Sequence, residues 1–134
     1  MGPGTDEGTT MTTPGTVEDL VLRNVFGVFG ERDAAARAAA IAEVYAPDAV
    51  LHLGAEAVRG TEAIDRHVQA LQDGTPGFVF RTLGEPEVDG GLGTRAWGYG
   101  PEGAPPVVTG RDVIRVEDGR IAEAFVFVHA PAGG

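Results

Sequence analysis

The stretch TGRDVIRVEDGRIAEAFVFV, Thr109 to Val128, decides the fold. Asp118-Gly119 breaks it into two arms, as a two-residue hairpin turn does. Strands repeat every two residues. In the first arm, Val108, Gly110, Asp112, Ile114 and Val116 therefore share one face. Thr109, Arg111, Val113, Arg115 and Glu117 share the other, and three of those five are charged. The charged face meets water. The first face meets the core, and Asp112 is its only polar side chain. A buried carboxylate costs several kcal/mol unless it is paired, hydrogen-bonded or protonated. Asp112 thus has a partner, such as Arg95, or a raised pKa. Either way it points to a pocket.

The second arm is apolar on both faces. Ala122, Ala124, Val126 and Val128 line one side, and their small side chains leave room for a cavity. Phe125 and Phe127 lie on the other. An antiparallel sheet usually keeps one face in water. The phenylalanine face predicts a homodimer through the outer side of the sheet.

Upstream, the pattern changes to helices. Thr16-Val17-Glu18-Asp19 resembles a capping box, and Val17, Leu20, Val21, Val25 and Val28 follow at helical spacing to about Phe29. Asn24, the only asparagine, lies on that stripe. Asp33 caps an alanine-rich helix running through Tyr45, with Ile41, Val44 and Tyr45 inward, and Pro47 ends it. Ala49 to Leu53 is a short strand. Thr61 is expected to cap a third helix, with Ile64, His67, Val68 and Leu71 on one face. Strands are expected at Phe78–Leu83, running on across a kink at Pro86 to Asp89, and at Thr94–Tyr99. Helices first and hairpins afterwards make an α+β domain, with helices on one side of a curved antiparallel or mixed sheet. Residues 16–130 form that single domain, while 1–15 read as a disordered tail and 131–134 as a frayed end.

Composition narrows the chemistry. The 134 residues include no cysteine, serine or lysine, and all ten basic residues are arginine. Disulfides, thiolate chemistry, serine nucleophiles and Schiff-base lysines are excluded. Hydrophobic content of 43% suits a folded globule. A net charge of −10 argues against nucleic acid and anionic membrane as partners. No apolar run approaches membrane-spanning length, and the acidic N-terminus lacks the apolar core of a secretory signal, so a cytoplasmic location is expected. His52, His67 and His129, separated by 15 and 62 residues, lack metal spacing. No metal and no cofactor is expected. Gly91-Leu92-Gly93-Thr94-Arg95-Ala96 mimics a dinucleotide fingerprint, but a strand follows it and no helix N-terminus is there to hold a pyrophosphate.

Three patterns in order, YAPDAVLHL (Tyr45–Leu53), RGTEAI (Arg59–Ile64) and the hairpin, resemble the NTF2-like superfamily, in particular its SnoaL-like and ketosteroid-isomerase-like members. The resemblance spans about residues 17–129. It implies a cone of three helices around a curved sheet with an apolar pocket inside, which hosts isomerases, aldol cyclases, dehydratases, epoxide hydrolases and non-catalytic binders. It also implies roles. Asp112 falls where ketosteroid isomerases keep a protonated aspartic acid that donates to an oxyanion. Leu53 stands at their general-base position and Asn24 at their oxyanion-hole tyrosine. Arg95 matches the arginine of the Asp–Arg–Asp set in limonene-epoxide-hydrolase-like proteins, with Trp97 and Val126 replacing both aspartates.

Candidate catalytic residues are therefore Asp112, as acid, oxyanion donor or base, and His67, as an alternate base. Asn24, Arg95, Trp97, Tyr99, Leu53 and Val126 are candidate substrate contacts. Arg95, Trp97 and Tyr99 share a strand face. Facing inward, it would offer an anion site and stacking rings. Facing outward, Arg95 would be merely solvated. The expected ligand is a small hydrophobic, carbonyl-bearing metabolite. The expected chemistry is isomerisation, aldol cyclisation or dehydration without a cofactor. The rival is a binding protein in which Asp112 is structural.

Overall fold

The computed structural model describes residues 16–129; the two tails lie outside the described residues. Helix α1 (Val17–Arg23) starts at Thr16, whose hydroxyl accepts the Asp19 amide at 3.2 Å. It does not end at Arg23. A π-helical turn, Asn24–Phe29, continues it to Gly30, whose amide reaches back to the Val25 carbonyl. The wider turn buries Asn24, Val25, Val28 and Phe29 together. Helix α2 (Ala34–Val44) is capped by the Asp33 carboxylate on the Ala36 amide. Tyr45 then leaves the helix, one residue earlier than the sequence pattern suggests, and opens strand β1 (Tyr45–Leu53). Pro47 explains the break, because a residue before proline disfavours the helical region. Strand β2 (Glu56–Arg59) is new relative to the sequence reading; four residues carry too little periodicity to announce it. Helix α3 (Thr61–Gly74) is preceded by Gly60 at φ 90°, and Thr61 is its first residue, without a capping bond. That corrects the expected Thr61 cap.

Strands β3 (Phe78–Asp89), β4 (Leu92–Pro101), β5 (Val108–Glu117) and β6 (Arg120–His129) form a meander. The six-stranded order is β2-β1-β6-β5-β4-β3. Only the β1–β6 pairing is parallel. β3 is an edge strand. Pro86 sits in its bulged region, where the register slips between Leu83 and Glu87. Asp118 and Gly119 both have positive φ (53° and 78°), as a type I′ turn between β5 and β6 requires.

The helices pack on one face of the sheet. Leu20, Val21, Val28, Ile41, Val44, Ile64 and Val68 meet Leu51, Ile114, Ile121 and Ala124 in one core. A buried arginine ties α2 to α3. Arg37 is 1% exposed, its Nε donates to Asp65 Oδ1 at 2.6 Å, and its Nη1 donates to Gln72 Oε1 at 2.9 Å. Gln72 in turn donates to the Phe29 and Glu31 carbonyls. Arg37→Met keeps the length and removes every donor. We expect a loss of about 3 kcal/mol in urea unfolding, near the low end for a broken buried pair because Asp65 can rehydrate. An unchanged midpoint would mean that the tie contributes nothing.

Candidate active site

The helices and the concave face of the sheet enclose a cavity of about 180 Å³. The π turn supplies Val25 and Phe29, and α3 supplies His67 and Leu71. Leu53 closes one side, with Val126 and Val128 from β6. The opposite wall is aromatic. Phe80 stacks on Tyr99 with centroids 4.0 Å apart and meets Trp97 edge-on at 5.5 Å. The Tyr99 hydroxyl is tied to Thr75 Oγ1 and accepts from Arg32, so its ring is what the cavity sees.

Asp112 is the one carboxylate in this lining. It is 4% exposed, and no cation among the described residues pairs with it. Trp97 Nε1–H donates to Oδ1 at 2.9 Å, and Asn24 Nδ2–H donates to Oδ2 at 3.0 Å. Behind Asn24, the Tyr45 hydroxyl donates to Oδ1 of the same amide at 2.5 Å. Burial pushes the Asp112 carboxyl up to about 6, and the bonds from Trp97 and Asn24 oppose that rise. Burial, followed by the nearby Asp112 charge, also pushes the Tyr45 phenol up, against the Asn24 bond. Tyr45 is therefore a neutral donor at every ordinary pH.

The Trp97 bond depends on a glycine. Gly110 lies directly opposite Trp97 in the β4–β5 register. A Cβ on it would stand 2.3 Å from Trp97 Cζ2 and 2.4 Å from the Phe127 carbonyl oxygen. The indole lies across this gap to reach Asp112, two residues further along β5.

The structure brings together Asp112, His67, Trp97, Tyr99, Leu53 and Val126 around the cavity. Asn24 sits behind Asp112, fully buried, with its amide spent on protein partners instead of facing the cavity. Arg95 departs further from expectation. It faces Asp112 across the register, yet its Nη2 donates to the Gly84 carbonyl at 3.0 Å, and its Nε is buried without a partner. The β3 bulge presents that carbonyl and draws the guanidinium out of the cavity. The Asp112–Arg95 pair and the Asp–Arg–Asp set are not assembled. His52 lies on the outer face, stacked on Phe125 at 4.4 Å and bonded to Glu123 at 3.0 Å. His129 is exposed at the end of β6.

Tyr45 and Gly110 escaped the sequence reading as site residues. Tyr45 read as a helix residue facing the core. Gly110 carried one usable signal, a glycine on the core face of a strand, where a close neighbour is the common reason. Among the described residues, no cluster of three His, Asp or Glu side chains is arranged to hold a metal ion. No helix among them is long and apolar enough to cross a membrane.

No curated protein matches the sequence. Solved structures do. A candidate isomerase of the SnoaL-like family from Agrobacterium tumefaciens aligns with TM-score 0.77 at 19% identity, over 84% of this chain and 96% of that one. A candidate ketosteroid isomerase from Kribbella flavida aligns with TM-score 0.67 at 17% identity, over 86% and 78%. At such identities the likeness is one of fold. A candidate polyketide cyclase from Sinorhizobium meliloti reaches 27% identity with TM-score 0.62, over 81% and 93%. The SnoaL-like domain profile matches residues 22–124, well over half the chain and every residue of the Asp112 network, so the chain belongs to the SnoaL-like family.

Proposed function

We propose that this protein is a cofactor-independent acid–base enzyme in which Asp112 is the general base. The observation that supports this best is a lone carboxylate in the wall of an apolar cavity, held by two neutral donors and by no cation among the described residues. With its carboxyl near 6, Asp112 is mostly ionised at neutral pH, yet basic enough to take a proton from carbon next to a carbonyl. Return of that proton at another carbon is isomerisation. Loss of a β-hydroxyl is dehydration, and attack of the enolate on a second carbonyl is aldol cyclisation. His67, which lines the same cavity, would return or accept the second proton.

Cavity size bounds the substrate. A cavity near 150 Å³ accommodates one benzene-sized ring. At about 180 Å³ this one suits a single ring or a short chain, with larger portions projecting past the half-buried His67. One-ring ketones in D2O, followed by proton NMR, provide the test. Accelerated loss of α-proton signals, rising through pH 6, is the expected result; no acceleration with any ring size would sink the enzyme reading.

A binding protein is the second reading. Its support is that both Asp112 oxygens already accept bonds from the protein. In that case the ketones would shift Trp97 fluorescence without exchange of their protons.

We also propose a homodimer through the outer sheet face, where Phe127 is 53% exposed beside Phe125. Light scattering should give twice the 13.8 kDa chain mass. A mass of one chain at micromolar concentration would overturn it.

A further inference from the structure

An asparagine amide can sit either way round, and only its hydrogen-bond partners fix the choice. An ionised Asp112 accepts and cannot donate. It therefore demands Nδ2 of Asn24, which leaves Oδ1 facing Tyr45. Tyr45 is 1% exposed and Asn24 is fully buried, so bulk solvent does not reach either group. Among the described residues, the tyrosine hydroxyl is the only donor to Asn24 Oδ1. We propose that Tyr45 is a positioning residue, whose hydroxyl locks the Asn24 amide with its N–H toward Asp112 and so sets how tightly Asp112 holds a proton. The role rests on the general-base reading only where it calls that proton catalytic. The titration itself needs no substrate.

The chemistry of the lock is reversible. If Asp112 is protonated on Oδ2, the acid can donate to Oδ1 of a flipped amide. Asn24 Nδ2 then donates to the Tyr45 oxygen, which can accept. Tyr45 as a donor favours the ionised carboxylate, and Tyr45 as an acceptor favours the acid. Other titratable groups near Asp112 leave this control to Tyr45. His67 from α3 and Tyr99 from β4 border the same cavity, but neither is hydrogen-bonded to Asp112, and the Tyr99 hydroxyl is spent on Thr75. Arg95, opposite on β4, is held by Gly84.

The test is the Asp112 titration in Tyr45→Phe, read by carbon NMR of the carboxyl and by fluorescence of the only tryptophan, its partner. Without the donor the amide loses its preferred sense, and the midpoint should rise by about one pH unit or more. A folded variant with the wild-type midpoint overturns the proposal. Should Tyr45→Phe fail to fold, 3-fluorotyrosine at position 45 supplies a stronger donor of nearly the same volume. There the midpoint should fall, and an unmoved midpoint overturns the proposal. If the midpoint moves as expected while ketone exchange is absent from wild type, the lock stands and the enzyme reading fails.

Discussion

Asp112→Asn is expected to lower α-proton exchange and turnover by about 10²–10⁴-fold, the usual contribution of a positioned general base. The fold should survive, because the network can accept an amide. Asn24 flips, its Oδ1 accepts from the new amide, and the Tyr45 oxygen accepts from Asn24 Nδ2. Stability should move in the opposite direction to activity. The Asp112 carboxyl sits at about 6 in the folded chain against an ordinary 3.8. A raised folded pKa gives stability that is present below the ordinary value and lost as pH rises through the folded one. Across that window wild type should lose about 3 kcal/mol that Asp112→Asn keeps. Urea unfolding of the two proteins at pH 4 and pH 7 checks this. A gap in favour of the variant should open at pH 7 and close at pH 4. A variant less stable than wild type at pH 7 would mean that the carboxylate is a net structural asset, which is the binding-protein reading.

Gly110→Ala is the second large effect. One methyl group meets an indole and a backbone carbonyl at once, and the carbonyl belongs to the neighbouring strand β6. The indole can swing aside; the carbonyl cannot move without opening the ladder. Overpacking of this kind costs about 1–3 kcal/mol, and loss of a hydrogen bond to a charged group adds about 1.5–3 kcal/mol. We expect a loss of about 3 kcal/mol or more. The Asp112 titration should rise above 6 as the Trp97 donor withdraws, because that bond holds it down. Fluorescence from the single tryptophan reports the displaced ring directly. An unchanged emission spectrum with an unchanged Asp112 titration would show that the indole has room to yield without leaving the carboxylate.

Much of the fold was legible because the hairpin carries clean alternation: the same two-residue period that exposes Arg111 and Arg115 buries Asp112. The cavity side of β6 follows from Val126 and Val128 by the same count. Long-range contacts were not legible. Arg37 lies in a run of alanines, and nothing local says that Asp65 and Gln72 will meet it. Arg95 shares its face with Trp97 and Tyr99 as alternation requires, but its partner is a bulge carbonyl, and bulges leave no fixed mark in sequence. Tyr45 sits at the junction of helix and strand, where neither periodicity applies, so its bond to Asn24 appears only once both elements are packed.

The parallel pairing of β1 with β6 bears on how the molecule comes into being. Leu51 pairs with Ala124, 73 positions further on (124 minus 51). Contacts so distant in the chain close late, because the loop entropy must be met first. Until β6 docks, β1 and β2 stand on one side and the β3–β5 meander on the other, with β6 the strand that joins them. Asp112, which stands opposite Val126 in the register, then lies beside the gap that β6 will fill. Burial is what raises its carboxyl, and Val126 and Val128 of β6 are part of the wall that buries it, so the altered proton affinity is complete only with β6 in place.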